Sequence, residues 1–439
     1  FNLQDDAKEN DGVITGFGLI EGKLCYVYSQ DREVLGGTIG EMHARKIIGL
    51  YSKAISMGAP IVGLLDSNGV RLKESTDAIH AMAKLYKCMA KASGVIPQLT
   101  GVFGNCGGGL ALLASMSDFT IADVDARFFV NSPNAIFGNY AEKNDTSAIS
   151  YQAKETDNID YYGQEAEVIA SLRNLITLLP ENNDEEIFAE CTDDLNGSVA
   201  GIDGYIDDVT TMLQMIGDNG EVYEFKKNYA TGMVTAFIKL NGATVGVVAN
   251  RRKAVNEEGE VLFEGDNKIT SNGAVKAADF VNLCDAFNIP VLSITNVNGF
   301  MACECGEKKM AKAVSKLGYA FATATVPKVN LIVGEGYGAS LAVMNSKGIG
   351  ADMVYSWPNV KIGAMEAGEA ARILSDNDEI TAKTKAEFEN IQNNVESAAA
   401  RGYIDTIIDP ADTRKYLIGA FEMLFSKVEY NPEKKHGTI

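Results

Sequence analysis

The segment Gly104-Asn105-Cys106-Gly107-Gly108-Gly109-Leu110 holds the residues best suited to chemistry in this chain, because three successive glycines stand where a strand turns into a helix. Consecutive backbone N–H groups at such a turn form an anion-binding concavity, and the absence of side chains lets a ligand oxygen come close. A second turn of this kind is Gly334-Glu335-Gly336-Tyr337-Gly338-Ala339-Ser340. Two turns suggest two oxyanion holes facing two carbonyl-bearing reactants. The competing reading of each is a glycine turn that serves only close helix packing. Neither is followed by Gly-Lys-Ser/Thr, which disfavours a nucleotide-binding P-loop. Other constellations are missing: His43, His80 and His436 lie far apart, and no Gly-x-Ser-x-Gly elbow occurs. Cys303-Glu304-Cys305 lacks the second cysteine pair of a zinc site and reads as an incidental thiol pair, so no metal is expected. Paired oxyanion holes without an obvious side-chain base fit chemistry in which a cofactor does the proton work.

The elements that must position these turns repeat. A shift of 230 residues places Pro60 on Pro290, Asn68 on Asn298, Gly69 on Gly299, Pro97 on Pro327, Gly104 on Gly334 and Gly108 on Gly338. In both halves an apolar run, Ile61 to Leu65 and Val291 to Ile294, reads as a buried strand entering an Asn-Gly turn. A second strand then runs into the glycine-rich turn and a helix. Strands alternate with helical stretches such as Glu41 to Met57, so the fold class is α/β with two duplicated domains, expected at 1–215 and 216–439. No Lys or Arg occurs between Arg173 and Lys226, and Pro180 to Glu186 reads as an exposed acidic connection.

Composition narrows the classes. With 439 residues, 46% of them hydrophobic, the chain can build two substantial cores. Seven scattered cysteines argue against a secreted disulfide framework and for a reducing, cytoplasmic location. The first residues lack the pattern of a signal peptide, and no apolar run reaches the roughly 20 residues that span a bilayer. A formal charge of -20 disfavours nucleic acid. Arg45, Lys46, Lys53, Arg71 and Lys73 nevertheless cluster, either as a basic face for an anionic cofactor or as a solvated face.

Longer strings around these turns resemble the carboxyltransferase family of propionyl-CoA and acetyl-CoA carboxylases and of methylmalonyl-CoA and glutaconyl-CoA decarboxylases. They include Leu35-Gly36-Gly37-Thr38-Ile39-Gly40-Glu41, Asp66-Ser67-Asn68-Gly69-Val70-Arg71-Leu72, Cys284-Asp285-Ala286-Phe287-Asn288-Ile289-Pro290 and Ala324-Thr325-Val326-Pro327-Lys328-Val329. The ending Ala400-Arg401-Gly402-Tyr403-Ile404-Asp405 agrees as well.

The resemblance implies tandem crotonase-like ββα spirals, an N-terminal half for acyl-CoA and a C-terminal half for biotin. It implies transfer of a carboxyl group between biotin and the α-carbon of an acyl-CoA, with the enolate and the ureido anion each stabilised by one hole. By matched positions, amides around Gly108, Gly109 and Leu110 would hold the thioester oxygen, and those around Gly338, Ala339 and Ser340 the ureido oxygen. Arg45, Lys46, Gly69, Arg71 and Gly107 are candidates for CoA binding. Asn298, Gly299, Phe300 and Tyr337 are candidates for the biotin side, and Ala342 occupies a position that selects acyl length. Biotin would arrive on a biotin carboxyl carrier protein, with a biotin carboxylase or a membrane decarboxylase subunit as further partner. The chain itself would form a homo-oligomer, either a dimer or a hexamer built as a trimer of dimers. Two departures stand out: Gly338-Ala339-Ser340 replaces the family's Gly-Gly-Ala, and a stretch near Lys253 to Lys268 is extra. The rival functions are a biotin-independent hydratase or isomerase, which needs a carboxylate beside the first hole, and a catalytically silent CoA-binding scaffold.

Overall fold

In the computed structural model the chain opens with a hairpin. Strands β1 (Val13–Ile20) and β2 (Lys23–Gln30) pair antiparallel around Glu21 and Gly22, both at positive φ, as a tight two-residue turn requires. The residues described are 10–137, 143–185, 190–255, 260–375, 378–432 and 437–438. His436, Glu186 and the first six residues, used in the sequence reading, fall outside them.

After the hairpin come α1 (Glu41–Met57), β3 (Ile61–Ser67), α2 (Thr76–Ala92), β4 (Gln98–Gly107) and the short α3 (Gly109–Ala114). The first unit continues with β5 (Phe119–Asp123), β6 (Arg127–Phe129), α4 (Ile149–Glu155), β7 (Tyr161–Gly163) and α5 (Glu165–Leu178). Its sheet runs β1-β2-β3-β4-β5-β7, with β6 on β4. Strands β2 to β5 are parallel. Parallel strands joined by helices are covered on both faces, which is why Ile61, Val62 and Leu65 are all buried rather than alternating with polar residues.

The second unit holds α6 (Val209–Ile216), β8 (Val222–Phe225), β9 (Met233–Leu240), β10 (Ala243–Asn250), β11 (Lys253–Val255), β12 (Val261–Glu264), α7 (Ser271–Ala286) and β13 (Val291–Asn298). Next come α8 (Glu304–Thr323), β14 (Lys328–Tyr337), α9 (Gly338–Val343), β15 (Met353–Ser356) and β16 (Lys361–Gly363). Four helices then follow, with β17 (Thr406–Ile407) before the last, Thr413–Leu424. The main sheet runs β17-β15-β14-β13-β10-β9-β8, with β16 on β14.

The duplication is visible in the hydrogen bonds. Val291 pairs with Lys328 as Ile61 pairs with Gln98, and Ile269 bridges Phe300 as Ile39 bridges Val70, each shifted by 230. The opening hairpins of the two units, β1–β2 and β9–β10, are shifted by 220 instead, since 233-13 and 243-23 both equal 220. The ten extra residues lie between β10 and α7, where β11 and β12 form a separate antiparallel pair. The stretch near Lys253 to Lys268 is thus an insertion relative to the first repeat.

The units divide as residues 1–186 with 226–229, and 187–225 with 230–439. The sequence points to a change at 215/216, but helix α6 belongs to the second unit, where Val209, Met212, Leu213 and Ile216 join its core. Asn182 is also less exposed than a free connection: its side-chain amide donates to the Gly58 carbonyl at 2.9 Å.

Candidate active site

The first glycine turn is made by a bend in the sheet. Opposite the single β3 residue Asp66, strand β4 carries Phe103, Gly104 and Asn105, because the register moves from Leu65↔Val102 to Ser67↔Cys106. The two additional residues form a bulge that redirects β4 away from its neighbour. Asp66 fills the bend, with Oδ1 accepting the Asn105 N–H at 3.3 Å. A Cβ on Gly104 would stand 2.1 Å from that same oxygen, so only glycine fits there.

Beyond the bulge, Gly108 takes φ 59° and ψ -125°, a conformation that disfavours every residue with a Cβ. Its N–H donates to the Phe129 carbonyl at 2.8 Å. Gly109 and Leu110 then open α3, where the first N–H groups have no preceding turn of helix to bond. Tyr86 holds the Gly109 carbonyl at 2.6 Å from the other side. The turn faces a cleft of about 790 Å³ lined by Gly69, Arg71, Gly107, Gly108, Gly109, Asn105 and Phe129, among others. Nothing lies within 4 Å of where a Gly108 Cβ would be, so the glycine bend opens on free space.

The second unit builds the same bend. Register moves from Thr295↔Ile332 to Val297↔Gly336, and Asn296 takes the place of Asp66, its Oδ1 accepting the Glu335 N–H at 2.9 Å. Asn296 is fixed in turn by Asn250, whose Oδ1 accepts the Asn296 N–H at 2.8 Å, and by the Asn267 amide at 3.2 Å. Gly338 has φ 58°, close to Gly108. Ser340, which departs from the family's alanine, is buried and donates to the Tyr337 carbonyl at 2.6 Å while its Oγ accepts the Gly299 N–H at 3.0 Å. The departure therefore ties the turn to the Asn298-Gly299-Phe300 segment. Asn298 is held as well, its N–H donating to Asn267 O at 2.5 Å. Ala339 and Ala342 are exposed.

The basic residues named from sequence behave differently. Arg45 is 62% exposed and pairs with Glu41 at 2.8 Å; neither it nor the half-buried Lys46 is among the described residues lining the cleft. Arg71 lines it, but its guanidinium is turned to internal partners, Asp11 at 2.6 Å and Glu74 at 2.8 Å. Lys73, a member of the basic cluster not named among the CoA-binding candidates, also lines the cleft. The buttressing residues Asp66 and Asn296 do not line the cleft and are absent from the site candidates named from sequence, although the 230-residue shift aligns them and could have found them. Among the described residues, no group of three or more metal-ligating side chains occurs, and no helix is long and apolar enough to cross a membrane.

Asp118 caps the start of β4, its carboxylate accepting the Gln98 N–H at 2.8 Å. The counterpart Asp352 caps Lys328 at 2.8 Å and also meets Lys427 at 2.9 Å. Burial pushes Asp118 up to about 7, the Gln98 N–H opposes this, and the charge of Asp160 adds to it. With its folded value above the unfolded one, the folded state holds an extra proton between about pH 4 and 7. The penalty is therefore absent below about pH 4 and grows as pH rises to about 7. Asp118→Asn keeps an oxygen for Gln98 and is expected to gain on the order of 2 kcal/mol at pH 8 relative to pH 4. Urea unfolding at both values checks this; parallel profiles for variant and parent would refute it.

The two bulged, mainly parallel sheets, each delivering a glycine turn to a short helix, define a crotonase-type α/β protein. The chain belongs to the carboxyl transferase domain family, which matches residues 2–439. It is 34% identical to the methylmalonyl-CoA decarboxylase subunit alpha of Veillonella parvula, across 100% of this chain and 87% of that protein. It is 35% identical to the propionyl-CoA carboxylase beta chain of Cereibacter sphaeroides, across 100% of this chain and 88% of that one. Among solved structures it is similar to transcarboxylase 12S, a hexamer with hydrolyzed methylmalonyl-coenzyme A bound. That similarity has a TM-score of 0.91 at 33% identity, over 99% of this chain and 86% of the other.

Proposed function

We propose that this chain is the carboxyltransferase component of a biotin-dependent acyl-CoA carboxylase or decarboxylase, with the first unit holding the acyl-CoA and the second the biotin ureido group. The observation that carries the reading is the bulge and glycine turn built twice, once above a 790 Å³ cleft. Because Gly108 N–H is given to Phe129, the amides left for a thioester oxygen are those of Gly109 and Leu110. They stabilise the negative charge that gathers on that oxygen when the α-carbon becomes an enolate, an effect worth about 3–4 kcal/mol per donor.

The residues of the second unit fit a ureido group. Gly299 leaves open space above its backbone, and Asn267 Oδ1 is buried without a hydrogen-bond partner among the described residues, an acceptor available to a ureido N–H. When bound, biotin carries the carboxyl group and supplies the base. Gly338, Ala339 and Ser340 hold its oxygen, and Asn298, Gly299, Phe300 and Tyr337 orient the ring. The carrier protein, a biotin carboxylase or membrane partner, a homo-oligomeric state and a cytoplasmic location complete the proposal. Family membership does not favour a biotin-independent hydratase or a silent scaffold.

Purified protein incubated with free biotin and malonyl-, methylmalonyl- or glutaconyl-CoA is expected to release carbon dioxide from at least one thioester only when biotin is present. Equal turnover without biotin would overturn the assignment, and so would none with any of the three.

A further inference from the structure

Carboxyl transfer leaves one pair of nucleophilic side chains unused. The Sγ atoms of Cys303 and Cys305 lie 3.2 Å apart, and both residues are exposed. They sit at the start of α8, a helix of 20 residues. Cys303 is its N-cap, with Sγ accepting the Gly306 N–H at 3.2 Å, and Cys305 stands in the first turn. Unpaired N–H groups and the helix dipole favour an anion in that turn, and a thiolate is the reactive form of cysteine. The Cys303 hydrogen bond above all, with the Gly306 N–H assisting, holds the Cys305 thiol below its usual range.

The other five cysteines lack this combination. Cys25, Cys106 and Cys284 are buried, and burial pushes all three thiols up, that of Cys25 to about 12. Cys88 and Cys191 are only partly exposed.

We propose that Cys303 and Cys305 form a redox-active dithiol that closes reversibly to a disulfide on reaction with a peroxide. Helical geometry sets Cα atoms two residues apart at about 5.4 Å, within the range a disulfide spans. The sulfurs need to approach by only about 1.2 Å to reach bonding distance. In the first step the Cys305 thiolate attacks one peroxide oxygen; the O–O bond breaks, the other oxygen leaves and takes a proton, and Cys305 becomes a sulfenic acid. Cys303 sulfur then attacks Cys305 sulfur, and the displaced hydroxyl leaves as water with the Cys303 proton. Two thiols lose two electrons, and hydrogen peroxide becomes two waters. A small dithiol reverses the change by exchange.

The pair is coupled to its surroundings through the backbone. Met301 N–H donates to Ile269 O at 2.9 Å, and Phe300 bridges the same residue, so the chain between Gly299 and the helix is anchored at one end. Drawing Cys303 toward Cys305 takes its sulfur from the Gly306 N–H and moves the other end. The dithiol itself does not depend on the carboxyl-transfer reading.

The test uses the full chain, reduced and then exposed to hydrogen peroxide, with remaining thiols alkylated under denaturing conditions and peptides weighed by mass spectrometry. The peptide carrying Cys303 and Cys305 is expected to lose two hydrogens, to fall at least tenfold in alkylation, and to recover with dithiothreitol, while the other five cysteines stay alkylated. In Cys303→Ser the resolving thiol is gone, and Cys305 is expected to be trapped by dimedone as the sulfenic acid. Undiminished alkylation of the pair would overturn the proposal, as would direct passage of Cys305 to sulfinic acid in the parent chain.

Discussion

Replacing Gly108 with alanine is expected to lower kcat/KM for biotin-dependent decarboxylation by about 10²–10³-fold. The loss comes from two effects at one atom. A methyl group on Gly108 enters the open space beneath the cleft, where nothing now lies within 4 Å. It also makes φ 59° and ψ -125° unfavourable by about 1–3 kcal/mol, and the backbone relieves this by turning ψ. That torsion sets the direction of the Gly109 N–H, so relief of strain swings a donor away from the thioester oxygen. Gly22→Ala is the control: φ is 86°, nothing lies within 4 Å, and the residue is in the β1–β2 turn, so comparable strain leaves turnover unchanged. Gly109 is the poorer target, since its Cβ would meet Met82 Sδ at 2.5 Å and Tyr86 Oη at 2.8 Å rather than the cleft. Retention of more than a tenth of kcat/KM in Gly108→Ala would mean that these amides do not hold the reacting oxygen.

Much of this site was legible in the sequence because glycines, prolines and Asn-Gly pairs mark turns whatever surrounds them. Their common shift of 230 survives in the structure as matched ladders and bridges. The bulges were not legible. The sequence starts the turn at Gly104, whereas β4 runs on to Gly107, and only the pairing with Asp66 shows that Phe103, Gly104 and Asn105 face one residue. Hairpins β1–β2 and β9–β10 escaped the 230 shift because the inserted β11–β12 pair stands between them and the matched segments. Charge shows a different limit of local reading. Arg45, Lys46 and Arg71 lie close in sequence, but a local cluster says nothing about distant partners. Asp11, 60 residues before Arg71, is such a partner.

That ion pair leads to the second large effect. Arg71 has a side chain only 6% exposed; besides Asp11 and Glu74 it donates to Thr38 O at 2.8 Å and Asp11 O at 3.2 Å. Glu74 in turn accepts the Glu41 N–H at 2.5 Å at the start of α1, and His43 on that helix contacts Asp11 O at 3.0 Å. Burial, more than the nearby cations, pushes His43 down to about 4, so the imidazole stays neutral near pH 7 and leaves the two carboxylates to Arg71. Arg71→Met would strand both carboxylates in a poorly hydrated site, at a cost of about 3–5 kcal/mol. Arg71→Lys keeps the charge but loses the forked geometry, so it is expected to fall between parent and Met variant. The Arg71 N–H and the Gly69 carbonyl both bond Ile39, so the cleft wall loosens with the ion pair. Urea unfolding of the three proteins, set beside the KM for acyl-CoA, separates the roles. A phosphate contact would raise KM in Arg71→Met and leave unfolding unchanged, and that result would return Arg71 to the ligand; a lowered unfolding midpoint places it in the framework that shapes the cleft.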